Sequence, residues 1–164
     1  MAEGQEENRM EGIVGLTKLF RNEVVGTPDG SVVVFAGSKA VCAPFAELLA
    51  YAVRDKGLKM YFSPLADPAD CRRLVWNEGI GYSASSDVSE VQKADIVVVL
   101  GGLAMPKFGC TAEKVSDLIG KMSPQGGAKV VGVCFMDIFR RSGWDRLIRF
   151  DAMIDATMHV EKRM

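Results

Sequence analysis

VVVLGGLAMPKFGCTAEKV, residues 97–115, runs from an unbroken apolar stretch through two glycines into a helix-like pattern. A short, continuous run of β-branched residues suits a strand buried on both faces, which is the habit of parallel sheets. Parallel neighbours must be joined by a crossover, and the helical spacing that begins at Thr111 supplies one. The stretch therefore reads as one strand-loop-helix unit of an α/β sheet.

Working outward, the same unit recurs. SVVVFAG (31–37) is another buried strand, and APFAELLAYAVRDKG (43–57) follows as its helix, with Pro44 in the first turn and Gly57 at the end. Before it, Ile13, Leu16, Phe20 and Val24 recur at helical spacing, and that helix stops near Gly26; TPDG (27–30) is a turn signal. LKMYFS (58–63) makes a second strand. DPADCRRLVWNEG (67–79) carries the marks of a helix: Asp67 as N-cap, Pro68 at the first position, Asp70 in the first turn and Gly79 past the end. IGYSASSD (80–87) reads as a short third strand, and Asp87 to Lys93 as a short helix.

DIVVVLGG (95–102) is then the fourth strand, and TAEKVSDLIGKM (111–122) its helix, with Thr111 able to cap it. AKVVGVCF (128–135) is the fifth strand, left by a single helical stretch, MDIFRRSG (136–143). In AMIDATMHV (152–160), Ala152, Ile154, Ala156, Met158 and Val160 alternate with Met153, Asp155, Thr157 and His159, the pattern of a half-exposed or edge strand. Alternating strands and helices predict a three-layer, Rossmann-like α/β sandwich. Its central sheet would be mostly parallel, with about five or six strands and a final strand at the edge. Residues 1–10, charged and poor in apolar side chains, read as a mobile tail, and 11–164 as one α/β domain.

Composition narrows the function classes. Twenty basic against 21 acidic residues, a net charge of −1, argue against a nucleic-acid partner, which needs clustered Lys and Arg. The densest basic group, Arg140, Arg141, Arg146 and Arg149, is interrupted by Asp137 and Asp145 and reads as a solvated face. No apolar run approaches the roughly 20 residues of a membrane span, and the N-terminus lacks the build of a signal peptide. The chain reads as cytoplasmic, without a membrane partner.

In a Rossmann-like order the first and fourth strands are neighbours where the strand order reverses, and ligands of such folds bind there. The loops after them, AGSKAVCAP (36–44) and GGLAMPKFGC (101–110), become two lips, with VCFMD (133–137) beside them. Glycines would let a ligand approach closely, helix N-termini would face an anion, and two lysines would add charge. The ligand-binding candidates are Gly37, Ser38 and Lys39 in one lip, Gly101, Gly102, Met105, Pro106 and Lys107 in the other, and Asp137 beyond. The plainer alternative is that the glycines only make tight turns, and that Asp137 caps the short helix after it. AGSKAV matches neither nucleotide-loop pattern, and the second strand ends in Ser63 without an acidic residue for a ribose. Ordinary NAD or ATP binding is disfavoured, and no cofactor can be named.

Leu103, Met105, Pro106 and Phe108, with Phe135 and Met136 across the edge, form an unusually apolar rim. It reads as a pocket, as a homodimer or partner-docking surface, or as a loop folded onto its own core. Cys42, Cys110 and Cys134 fall on the same sheet edge and raise a third option, a reactive thiol or metal site, against the simpler reading of core cysteines. No zinc-ribbon spacing occurs, no Ser-His-Asp pattern occurs, and His159 reads as a surface residue.

GGLAMPKFGC, with VGVCFMDIF (131–139) and FDAMIDA (150–156) downstream, resembles an uncharacterised family from methanogenic archaea known only as a domain of unknown function. FAGSKAVCAPFAELLAYAVRD (35–55) is similar to the family too. The resemblance covers most of the chain. It implies a Rossmann-like α/β fold in an archaeal cytoplasm and supplies no activity and no catalytic residue.

Overall fold

The computed structural model describes residues 9–164, so the tail expected over 1–10 lies, apart from Arg9 and Met10, outside the described residues. Seven strands form one sheet: β1 (Val32–Gly37), β2 (Lys59–Pro64), β3 (Cys71–Asn77), β4 (Gly81–Ser89), β5 (Ile96–Leu100), β6 (Lys129–Phe135) and β7 (Ala152–Ala156). Their spatial order is β4-β3-β2-β1-β5-β6-β7. β1 pairs in parallel with both β2 and β5, and the parallel run continues through β6 to β7 at the edge. The order reverses between β1 and β5, as a Rossmann-like order implies. The α/β class, the mostly parallel sheet and the edge position of the last strand all stand.

Alternation along the strands divides the core in two. Val33, Phe35, Ile96, Val98, Leu100, Val131 and Val133 face one side, where they pack with α1 (Gly12–Val24) and α2 (Ala43–Ala52). Val34, Ala36, Val97, Val99, Val130 and Cys134 face the other, under α3 (Ala112–Met122) and the one-turn helices α4 (Ile138–Arg141) and α5 (Trp144–Leu147). Successive side chains of a strand point to opposite faces, so an unbroken apolar strand is what two covered faces require. Thr111 caps α3 as expected, its Oγ1 accepting a 3.2 Å hydrogen bond from the Lys114 N–H. Gly57 ends the α2 region with φ 65°. The helical stretch expected over 136–143 forms only α4, and a second one-turn helix, α5, begins past Gly143. Among the described residues, no helix is long and apolar enough to cross a membrane.

Two helix expectations are overturned. DPADCRRLVWNEG does not form a helix: Cys71–Asn77 is β3, antiparallel to both β2 and β4. The helix-start signals are real, but a turn uses them, with the Asp67 carboxylate accepting from the Ala69 N–H at 2.9 Å. Asp-Pro favours turns as well as helix starts, and pairing on both sides then decides for a strand. The helix expected from Asp87 to Lys93 is also absent. β4 runs to Ser89, and an extended connection then carries Val91 and Ala94 against the second apolar cluster.

Candidate functional site

The two crossovers at the reversal leave the sheet toward opposite faces, since α2 belongs to the first apolar cluster and α3 to the second. Beside that divergence lies a cavity of about 330 Å³. One wall is the start of α2, with Val41, Cys42 and Phe45. The second is Gly101, Gly102 and Met105, in the tight turns that follow β5. The third comprises Phe135, Met136, Ile138 and Arg141 at the exit of β6, with Met158 from beyond β7. Cys42, Leu100 and Val133, all buried, make the floor, while Val41, Met136 and Met158 form a half-exposed rim.

Three glycines were expected to let a ligand approach, but they let the protein approach itself. A Cβ on Gly37 would collide with the Cys42 Cβ, and one on Gly102 with the Cys42 Sγ. On Gly101 it would lie 2.5 Å from the Cys134 Cβ. Gly101 and Gly102 still present backbone to the cavity; Gly37 does not line it. Ser38 is fully buried, and its hydroxyl sits 3.1 Å from the Cys42 thiol. Lys39, Pro106 and Lys107 are exposed and outside the cavity, and the Lys107 ammonium lies over the Phe108 ring. The two lysines thus lie apart from the cavity that Gly101, Gly102 and Met105 help to line. Thr111 already serves the start of α3, eleven residues beyond the end of β5.

Asp137 stands at the N-cap position of α4, but its side chain makes no capping hydrogen bond. It pairs weakly with Arg140 at 3.8 Å and does not line the cavity. Its backbone matters more. Met136 and Asp137 are both left-handed, with φ 55° and 58°, a conformation costing about 1–3 kcal/mol for each non-glycine residue. Three hydrogen bonds hold the kink. Met136 N–H donates to the Ala156 carbonyl at 3.0 Å, and Asp137 N–H to the Asp155 carboxylate at 2.8 Å. The Arg141 Nε donates to the Met136 carbonyl at 2.8 Å. The kink sends Met136 to the rim and aims Arg141 across it.

Arg141 is the residue that reading the sequence missed. It was grouped with Arg140, Arg146 and Arg149 as a solvated face. Among the described residues it is the only charged side chain lining the cavity, and it forms no ion pair. Its available signal was position, one turn of helix past a strand end. Met158 also had a signal: it shares the alternation phase that buries Ile154.

The apolar rim divides. Leu103 and Ala104 are core, Met105 reaches the cavity, and Phe108 is half-buried. The structure does not bring the three cysteines together. Cys42 packs in the first cluster and Cys134 in the second, while the Cys110 Sγ lies against the Leu65 carbonyl. Among the described residues, no three His, Cys, Asp or Glu side chains could hold a metal ion. Burial pushes the Cys134 thiol up to about 12, and burial raises Cys110 too, so neither is a ready thiolate.

Residues 11–159 match the model of a family described as an uncharacterized protein conserved in archaea (DUF2124). The chain belongs to this family. A relative from Methanocaldococcus jannaschii is 43% identical over 148 residues, which cover 89% of this chain and 88% of the relative. Another, from Methanothermobacter thermautotrophicus, is 40% identical over 138 residues, 84% of each. Both are uncharacterized family members from methanogens, as the resemblance implied. The crystal structure of a protein of unknown function from Methanothermobacter thermautotrophicus has 36% identity, and the match covers 95% of both chains with a TM-score of 0.83. The α/β architecture of this chain is thus shared with that crystal structure.

Proposed function

We propose that this protein binds a small amphipathic anion, with its apolar body in the cavity and its charged group against Arg141. The carrying observation is the Arg141 guanidinium, oriented by the Met136 carbonyl and unpaired at the mouth of an otherwise apolar cavity. A cavity of this size, apolar with a single well-placed polar group, is the usual form of a small-molecule site. A guanidinium offers paired N–H donors that match a carboxylate or phosphate. The anionic half of the expectation is retained. The nucleotide half loses support, because among the described residues no other hydroxyl, amide or charged side chain lines the walls to engage a base or ribose. The 103–108 loop gives little support to a docking role, since Leu103 and Ala104 are buried beneath it.

Thermal shift with octanoate and octanamide tests the reading, because ligand bound to the folded state raises its melting temperature. Octanoate should stabilise the protein more than the amide does. Arg141→Leu should remove that preference, about tenfold in affinity, the scale of one charge-assisted hydrogen bond discounted for exposure. Equal stabilisation by acid and amide, or none by either at about 10 mM, would overturn the proposal.

A further inference from the structure

We infer that the ligand's apolar body is a flat aromatic ring, making the preferred class an aryl-substituted carboxylate. This rests on the reading of the cavity as a site for an apolar body beside one anionic group. Three elements that are distant in sequence each contribute a methionine to the cavity: Met105 after β5, Met136 after β6 and Met158 after β7. Two of them, Met136 at 47% and Met158 at 52% exposure, stand at the mouth. Their positions are coupled, because the Met158 N–H donates to the Met136 sulfur at 3.5 Å. Along the cavity wall, the half-buried Phe45 and Phe135 form a tilted pair with ring centroids 4.7 Å apart.

A saturated chain would gain from these walls only by leaving water. An aromatic ring gains in two further ways. Its positive edge is attracted to thioether sulfur, and its face or edge completes tilted contacts with the two phenylalanines. Unbranched methionines can also close over a flat ring, which a branched aliphatic rim would do less readily. Size agrees with the class. The cavity of about 330 Å³ lies at the lower end of the range for small-molecule sites, roughly 300–1,000 Å³, the scale of a one-ring acid such as 3-phenylpropionate. With the carboxylate on Arg141, such a molecule would place its ring between the phenylalanine pair and the methionine rim.

Calorimetric titration with 3-phenylpropionate and 3-cyclohexylpropionate tests this, since the two acids share charge and length and differ in the ring. The aromatic acid should bind the unaltered protein about tenfold more tightly. The volume-conserving variant Met105→Leu/Met136→Leu/Met158→Leu should lower the ratio to the part that the Phe45–Phe135 pair supplies, about threefold, with both acids still bound. Equal or tighter binding of the cyclohexyl acid to the unaltered protein would overturn the aromatic assignment and leave the anion site standing. An unchanged ratio in the leucine variant would overturn the role given to the methionines. Binding of neither acid would overturn the anion site and this inference together. The comparison on the unaltered protein decides the class even if the triple variant folds poorly.

Discussion

The two halves of the sheet follow different rules. From β1 through β5 to β6, the strands are parallel and buried on both faces, β5 at every position. β3 and β4 form an antiparallel hairpin whose burial is interrupted along each strand. On the hairpin, α2 packs against β4, Leu74 is buried in the first cluster, and Tyr51, Trp76 and Tyr82 form an aromatic stack near the surface. Val75, on the same strand, remains 43% exposed. The difference begins in the connections. Twenty-one residues separate β1 from β2 and hold a helix, whereas six separate β2 from β3 and hold only a turn. A six-residue link permits only an antiparallel neighbour, and no crossover helix is left to cover it. The cavity lies beside the reversal, where crossovers depart in opposite directions and strand ends stay open to a ligand.

The largest test of this contrast compares Phe139 with Trp76. Phe139 is fully buried and packs against Trp144 and Phe150. Phe139→Ala should cost about 3–5 kcal/mol in urea unfolding. Trp76→Ala, on the hairpin, should cost about 1 kcal/mol. Equal losses would erase the distinction between doubly and singly covered halves.

Next in size is Gly101→Ala. The new Cβ would press on the Cβ and backbone Cα of Cys134 and on Ile138, which have little freedom to withdraw. A loss of about 1–3 kcal/mol is expected, as in other overpacked cores. A neutral result in the same unfolding assay would mean that the loops after β5 and β6 can part, so that the cavity wall is soft.

The smallest effect is expected at Asp67→Ala, which removes the turn's hydrogen bond to Ala69 at a cost of about 0.5–1.5 kcal/mol. Far-UV circular dichroism should keep the same helix content. A gain in helix signal would show that this turn alone restrains the helical tendency of residues 67–79, and would sharpen the account of why the two halves differ.

Much of the fold was legible because its signals are local or periodic. The apolar runs at 32–37, 96–100 and 129–135 became the buried strands, and the cap at Thr111 and the stop at Gly57 formed where expected. β3 was misread because Asp67, Pro68 and Asp70 suit a turn as well as a helix start. The ladders to Tyr61 and Phe62 on one side and to β4 on the other settled the matter, and neither is visible in the segment itself. At the candidate site, the sequence directed attention to the sheet edge that holds the cavity and to Gly101, Gly102 and Met105, which line it. Lys39 and Lys107 were plausible by type and adjacency, yet their side chains leave the cavity, because side-chain direction depends on how each loop turns.

The sequence by itself determined that this chain builds an α/β sheet and which strands are doubly buried. Hydrophobic period and helix-end chemistry act over a few residues, and a single segment carries them. Only the tertiary structure decided that 71–77 is a strand and that three glycines serve loop-to-loop packing. It also decided that one arginine of four faces an apolar cavity walled by residues from positions 41 to 158. Those outcomes depend on which distant segments meet, and on a left-handed kink at Met136 and Asp137 held by hydrogen bonds from β7 and Arg141.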